Sequence, residues 1–129
     1  MHAHHKPSSS HGNKNTVALK AFFGITKKWK LSAEQERILL GTNIPTFYRW
    51  KKNMNGSLSQ DTLERISYIL GIYKALRILL PSEEAANNWI KKSNQAILFG
   101  GKSALEKLLI GRVIDLADVR RYLDAERGW

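Results

Sequence analysis

The segment SAEQERILLGTNIPTFYRWKK, residues 32–52, decides how this chain folds. Ser32 stands three residues before Gln35, the spacing of a capping box, which predicts that a helix begins here. Gly41 is predicted to end that helix, because glycine readily adopts the left-handed conformation found after a last helical turn. Pro45 then falls in the first turn of a second helix, where proline is tolerated. The segment therefore predicts two short helices joined by a tight turn.

Two short helices around such a turn are typical of a helix-turn-helix unit, whose second helix lies in the major groove of DNA. Phe47 and Trp50 are three residues apart and share one face of the second helix, so with Leu40 they are predicted to pack inward. Arg37 stands where many such units have a small residue, which predicts an atypical packing of the first helix. The opposite face of the second helix carries the candidate DNA-binding residues, which are Asn43, Thr46, Tyr48, Arg49, Lys51 and Lys52.

These six residues are expected to play two different roles. Thr46, Tyr48 and Arg49 are predicted to lie at base edges, where sequence is read. Lys51 and Lys52 are predicted to contact phosphate, which positions the helix without specifying sequence. Three lysines just before the unit are expected to extend the phosphate contacts: Lys27, Lys28 and Lys30. The alternative is that the outer face of this helix is an ordinary solvated surface.

Positive charge is concentrated in the first half of the chain. The net charge is +10, and residues 1–56 carry eight Lys and two Arg against two Glu. Clustered cations release condensed counterions from phosphate, so this half is predicted to bind nucleic acid. The alternative is a basic surface that serves solubility alone.

Other functional classes find little support in the composition. The chain has no cysteine, and all four histidines lie within its first eleven residues. No grouping indicates a catalytic centre, so we expect no enzyme activity, no cofactor and no metal site. The first fifteen residues lack the apolar core of a signal peptide, and no apolar run approaches the ~18 residues of a membrane span. We therefore expect a cytoplasmic protein without membrane contact.

The rest of the chain keeps the apolar period of helices, and no stretch alternates as a strand does. We predict an all-α fold of six to eight helices, with a helix-turn-helix half followed by a small helical half. Residues 1–15 are predicted to form a disordered polar arm, 16–80 the first domain, with Thr16 as a helix N-cap, and 81–129 the second. Asp115 is predicted to cap the last helix.

In the second half, the small core is predicted to consist of Trp89, Ile97, Leu98 and Phe99. Gly100 and Gly101 are predicted to make a tight turn with positive φ. On the long helix predicted over residues 61–80, a self-association surface is one interpretation and an all-core role is the other. The residues concerned are Tyr68, Ile69, Ile72 and Tyr73.

Taken together, residues 25–129 resemble the Xre/MbcA/ParS antitoxins of bacterial toxin–antitoxin pairs. The resemblance rests on ERISYILGIYKAL (64–76), on Trp89 followed by FGG (99–101), and on VRRYLDAERGW (119–129). It implies that an Xre-like helix-turn-helix half binds the promoter of its own operon. It also implies that the second half binds a toxin, typically of the RES-domain type that consumes NAD, and that the C-terminal region covers the active site of that toxin.

The terminal segment then supplies candidate toxin-binding residues. Val119, Tyr122 and Leu123 are predicted to pack inward on one face of a helix. The side chains left to face outward, and hence to bind the toxin, are Arg120, Arg121, Arg127 and Trp129. Arginine and tryptophan are enriched among interface hot spots, and guanidinium groups suit carboxylates or phosphates. The alternative is that Trp129 folds back on Trp89 and Phe99.

A different functional class is also open at this point. A stand-alone transcriptional regulator would share the helix-turn-helix and use its second half for dimerisation. Under the antitoxin interpretation, the expected partners are a cognate toxin and operator DNA, in a homodimer or a higher hetero-oligomer with toxin.

Overall fold

The computed structural model describes the backbone of residues 5–128 and the side chains of residues 14–128. Within that range the chain forms seven α-helices, and the only other regular element is an isolated antiparallel bridge between Ser93 and Ser103. The all-α prediction is therefore confirmed. The helices are α1 (His5–Lys28), α2 (Ala33–Leu40), α3 (Ile44–Asn53), α4 (Gln60–Leu79), α5 (Glu83–Trp89), α6 (Ala104–Leu108) and α7 (Val113–Glu126).

Helix α1 begins earlier than the composition predicted. It starts at His5, within the segment 1–15 that we expected to be disordered, and Thr16 lies inside it rather than at its N-cap. Further along, the helix packs against α3 and α4. The side-chain amide of Asn15 also donates a hydrogen bond of 2.8 Å to the carbonyl oxygen of Gly56. Packing of this kind, rather than propensity, supplies most helix stability in proteins.

The central element of the fold is α4. It packs most extensively against α7 and also contacts α1, α2 and α5. Buried side chains from both predicted halves form one continuous cluster around it. Ile69 and Ile72 are fully buried, so of the residues considered for self-association only Tyr68 and Tyr73 keep exposed surface.

The second half is a set of short helices with strong local start and stop signals. The Ser82 hydroxyl caps α5, and Ser103 begins α6 with a capping box completed by Glu106. Gly100 and Gly101 have φ values of 59° and 89°, which confirms the predicted turn. No helix within residues 5–128 is both long and apolar enough to cross a bilayer.

Candidate functional site

The orientation of α3 is set by its caps and by two buried aromatic rings. The Asn43 side chain accepts a hydrogen bond of 2.9 Å from the Thr46 backbone N–H, and Pro45 lies in the first turn. Phe47 and Trp50 are 1% and 5% exposed, as predicted, and they fix one face of the helix to the core. The opposite face is consequently held towards solvent.

The turn between α2 and α3 is clamped from both sides. Gly41 has φ 67°, and the Arg65 guanidinium lies so close to it that a Cβ atom would meet the Arg65 Cζ at 2.6 Å. Arg37 lies along the turn, where its Nη1 donates 2.9 Å to the Thr42 carbonyl and its Nη2 pairs with Glu34 at 2.6 Å. Arg37 therefore stabilises the turn from the surface, and the atypical packing of the first helix stays a prediction.

Lys51, which we predicted to contact phosphate, is paired with a buried carboxylate. Its Nζ lies 2.6 Å from Oε1 of Glu36, and the Glu36 side chain is only 5% exposed. The other Glu36 oxygen, Oε2, accepts a 2.6 Å hydrogen bond from the Thr26 hydroxyl. The Lys51 ammonium also lies 5.6 Å and 5.7 Å from the ring centroids of Phe23 and Phe47. A buried carboxylate strongly favours a cation beside it, so Glu36 holds the Lys51 ammonium, and the phosphate contact of Lys51 stays a prediction.

Three of the predicted DNA-binding residues of α3 are exposed and have no buried carboxylate from the described part of the chain beside them: Tyr48, Arg49 and Lys52. Tyr48 is 55% exposed, and Arg49 makes a single long contact of 3.5 Å from Nη2 to the Thr46 hydroxyl. Lys52 is exposed and has no ion pair with any side chain in residues 14–128. With Asn43 and Thr46 at the start of the helix, these residues form what we call the α3 face.

The lysines before the helix-turn-helix do not all extend the α3 face. Lys28 instead contacts α4 and the start of the second half, since its Nζ donates 3.0 Å to the Tyr73 hydroxyl and lies 3.2 Å from a Glu83 oxygen. The Lys30 carbonyl accepts a hydrogen bond of 3.2 Å from Lys91 Nζ. The segment after α1 therefore links the two halves.

In the second half, three aromatic rings cluster between α5, the following loop and α7. Tyr122 stacks on Trp89 at 6.5 Å and meets Phe99 edge-on at 5.2 Å between ring centroids. A cavity of about 210 Å³ lies beside them, lined by Leu76, Leu79, Leu80, Trp89, Tyr122, Leu123 and Glu126. The C-terminal turn of α7 thus borders an apolar hollow.

The C-terminal arginines are arranged differently from the prediction. Val119 and Leu123 are buried, as expected. The Arg120 guanidinium, however, turns back over α4 at Gly71, where a Cβ atom would overlap it. Its Nε lies 3.1 Å from Asp124 Oδ2, and the side chain is only 32% exposed. The outward orientation predicted for Arg120 is therefore wrong, since the missing side chain at Gly71 leaves room for the guanidinium.

The other two arginines differ from each other. The Arg127 side chain is 9% exposed, with Nη1 3.6 Å from Asp124 Oδ1, so its predicted outward orientation is also wrong. Arg121 does face solvent as predicted, with a 70% exposed side chain and a 3.0 Å contact to Asp118. Trp129, the fourth predicted residue, lies outside the described residues.

The counter-ions in α7 were not predicted from the sequence. Asp124 lies four residues after Arg120 and three before Arg127, a spacing that places all three side chains together on a helix. That spacing was the available signal for their pairing.

A buried carboxylate joins α6 to the start of α7. Asp115 is fully buried, and its oxygens lie 2.9 Å from Lys107 Nζ and 2.9 Å from Arg112 Nε. These hydrogen bonds hold the pKa of Asp115 well below its ordinary value of 3.8. Asp115 accepts from the Arg112 backbone N–H and so caps the helix from its third position, which confirms the predicted cap.

The loop between α5 and α6 also differs from the prediction. Phe99 is buried, and Trp89 and Leu98 are partly buried, but Ile97 is 100% exposed instead of belonging to the core. The loop curls on itself, so one of the four predicted core side chains has no interior to enter. Sequence hydrophobicity alone cannot tell which one that is.

No metal centre is formed by the described residues, which contain no group of three or more His, Cys, Asp or Glu side chains suited to one. His2 and His4, part of the histidine-containing arm, lie outside the described residues.

Comparison with known proteins adds two family matches and one relative. Residues 11–71 match the antitoxin Xre-like helix-turn-helix domain. Residues 75–128 match the antitoxin Xre/MbcA/ParS C-terminal toxin-binding domain. The chain is also similar to the uncharacterized protein y4oB of Sinorhizobium fredii, with 49% identity over 121 residues, which are 93% of this chain and 92% of the relative. The two family matches meet within α4.

Proposed function

The chain belongs to the Xre/MbcA/ParS antitoxin family, and from this premise we propose that it neutralises a toxin through its second half and binds operator DNA through α3. The observation that carries the proposal is the match of residues 75–128 to a toxin-binding domain. We propose further that the toxin is of the RES-domain, NAD-consuming type and that the C-terminal turn covers its active site. The operator is then the promoter of the chain's own operon.

The α3 face supports the DNA-binding part of the proposal. Arg49 reads base edges together with Thr46 and Tyr48, because a guanidinium can donate two hydrogen bonds to the edge of guanine. Lys52 contacts phosphate, since its ammonium is exposed and without an ion pair among residues 14–128. Asn43 holds the first turn of α3 and lies at the end that enters the groove.

The end of α7 supports the toxin-binding part. Arg121 is the exposed guanidinium, and it exchanges its contact with Asp118 for a carboxylate or phosphate on the toxin side. Arg120 and Arg127 pair with Asp124 and so hold the last turn of α7 in place. Their charges also add positive electrostatic potential near the toxin. Trp129 remains a predicted contact of the tail.

The toxin-binding part is tested by co-expression with the product of the adjacent reading frame, followed by pull-down. The test variants are Arg121→Gln and a chain lacking residues 128–129, and Arg77→Gln is the matched control because Arg77 is an exposed arginine on α4. We expect both test variants to recover less toxin and to protect growth less than the control. Equal recovery by all of them would contradict a role for the end of α7.

DNA binding is tested on the upstream region of the operon and on random DNA of equal length. Arg49→Ala is expected to lower affinity for the upstream region while leaving random DNA nearly unchanged. A parallel loss on both DNAs would rule out base reading by Arg49. Binding to the upstream DNA without any toxin partner would instead indicate a stand-alone regulator whose second half serves dimerisation.

A further inference from the structure

The loop between α5 and α6 presents a completely exposed isoleucine on a fixed backbone. The loop is closed by hydrogen bonds from Asn94 N to the Lys102 carbonyl at 3.0 Å and from Gly101 N to the Asn94 carbonyl at 2.9 Å. Inside it, the Ala96 carbonyl accepts from the backbone N–H groups of Phe99 and Gly100 at 2.9 Å and 3.0 Å. Ile97 follows Ala96 at the tip and is 100% exposed.

This exposure is different from that of the other apolar surface residues. Ile44, Val17 and Ile110 are 56–66% exposed, so each keeps part of its side chain against the protein. Ile97 keeps none, and the hydrogen bonds that close the loop prevent it from folding inward. A side chain held in this way loses little conformational freedom on binding, which favours its use as an anchor.

The loop is continuous with the end of α7. Phe99, two residues after Ile97, is 5% exposed and packs against Tyr122 at 5.2 Å and Trp89 at 5.9 Å. Tyr122 lies one turn before Glu126, which lines the cavity at the end of α7. The loop is therefore anchored through Phe99 to α7, the helix that carries the C-terminal turn.

Two cations flank the loop at its base. Lys92 and Lys102 are both exposed, and they are brought together by the bridge between Ser93 and Ser103. Within residues 14–128, Lys92 forms no ion pair, and Lys102 interacts with Glu106 only at a distance beyond that of an ion pair. An apolar tip between two exposed lysines is complementary to an apolar socket with acidic side chains at its rim.

We propose that the loop 94–101 is a second toxin-docking element, in which Ile97 fills an apolar socket on the toxin and Lys92 and Lys102 face acidic residues around it. The inference rests on the proposed toxin-binding function and extends it from the C-terminal turn to a second contact. The loop and the C-terminal turn together then attach the chain to the toxin at two points.

The test measures the dissociation constant of the purified complex between the full chain and the product of the adjacent reading frame. The variant is Ile97→Ser, and the matched control is Ile110→Ser, an exposed isoleucine in the connection between α6 and α7. Burying one isoleucine is worth about 10- to 100-fold in affinity, so Ile97→Ser is expected to weaken the complex by that factor. Ile110→Ser is expected to change it less than about 2-fold.

Two further measurements keep the outcomes separate. Thermal unfolding of Ile97→Ser is expected to match wild type, because the side chain contacts nothing in the folded chain. The double variant Lys92→Gln/Lys102→Gln is expected to reduce the salt dependence of toxin association. An Ile97→Ser complex as tight as wild type would overturn the inference while leaving the proposed function intact. Failure of the wild-type chain to bind the toxin would refute the proposed function and the docking loop with it.

Discussion

Lys51 and Lys52 are neighbours on α3 with the same side chain, and we predict that their replacement has opposite consequences. Lys51→Met keeps the apolar stem over Phe23 and Phe47 but removes the ammonium that lies 2.6 Å from Glu36. Lys52→Met removes an exposed ammonium without an ion pair among the described side chains. The first change is expected to act on stability and the second on DNA binding.

The magnitude for Lys51 follows from the burial of Glu36. A carboxylate with 5% exposure keeps only the Thr26 hydroxyl after the substitution. Breaking a fully buried pair destabilises a protein by about 3–5 kcal/mol. The Lys51 side chain is 42% exposed, so water can reach the site and we expect about 2 kcal/mol instead. For a domain of this size that corresponds to a lower melting temperature by roughly 6–10 °C.

The assay is urea unfolding followed by circular dichroism, with Lys52→Met as the control. A double-mutant cycle adds Glu36→Gln, since removing both charges avoids the unpaired carboxylate. The coupling free energy between Glu36 and Lys51 is expected to be about 1–2 kcal/mol. Lys52→Met is expected to stay within about 0.5 kcal/mol of wild type.

The same variants are then compared in DNA binding at several salt concentrations. Loss of one phosphate contact lowers the slope of log K against log salt by about 0.9, and we expect this for Lys52→Met only. The reasoning would be refuted if Lys51→Met unfolded like wild type and flattened the salt dependence as Lys52→Met does. Lys51 would then be a phosphate contact, as the sequence first suggested.

Two further predictions concern side-chain contacts of α7. Asp115→Asn is expected to lower the free energy of unfolding at pH 7 by about 2 kcal/mol, since Lys107 then keeps only Asp118, at 3.4 Å, as a carboxylate partner. The folded-state pKa of Asp115 lies below 3.8, so the ionised carboxylate stabilises the folded state above that pH, and this stabilisation is lost as the pH falls towards the folded-state pKa. In urea titrations, wild type is therefore expected to lose more stability than Asp115→Asn between pH 7 and pH 3. Gly71→Ala is expected to stabilise α4 by about 1 kcal/mol in an Arg120→Ala background, where the guanidinium no longer occupies the space, and by less in the wild-type chain. Equal gains in the free energy of unfolding in both backgrounds would show that the Arg120 side chain moves away from position 71 without cost.

Much of the local structure could be predicted from residue spacing. The capping box at Ser32, the turn at Gly41 and the proline in the first turn of α3 each depend on groups within a few residues of one another. Their physical causes, an unpaired backbone N–H and the freedom of glycine, act over one helical turn. The buried face of α3 followed for the same reason, since Phe47 and Trp50 are three residues apart.

Other features depended on contacts between residues distant in sequence. The position of α1 depends on packing against α3 and α4 and on a hydrogen bond from Asn15 to Gly56. The direction of Arg120 depends on the missing side chain of Gly71, on another helix. Neither contact produces a periodic pattern in the sequence, because residue spacing within one helix does not indicate which other helix it packs against.

By itself, therefore, the sequence determined the helical class, the helix-turn-helix and the resemblance to antitoxins, since these rest on local caps, periodicity and motif order. Only the tertiary structure decided which charged side chains are free to bind. Lys51 is drawn to a carboxylate buried by α1, α2 and α3 together, and Arg127 to one on α7. Ile97 is left outside because its loop is closed by hydrogen bonds from residues on both sides. Whether a side chain is engaged in contacts within the fold or is available to bind a partner depends on its neighbours in space. Those neighbours are set by the packing of the helices.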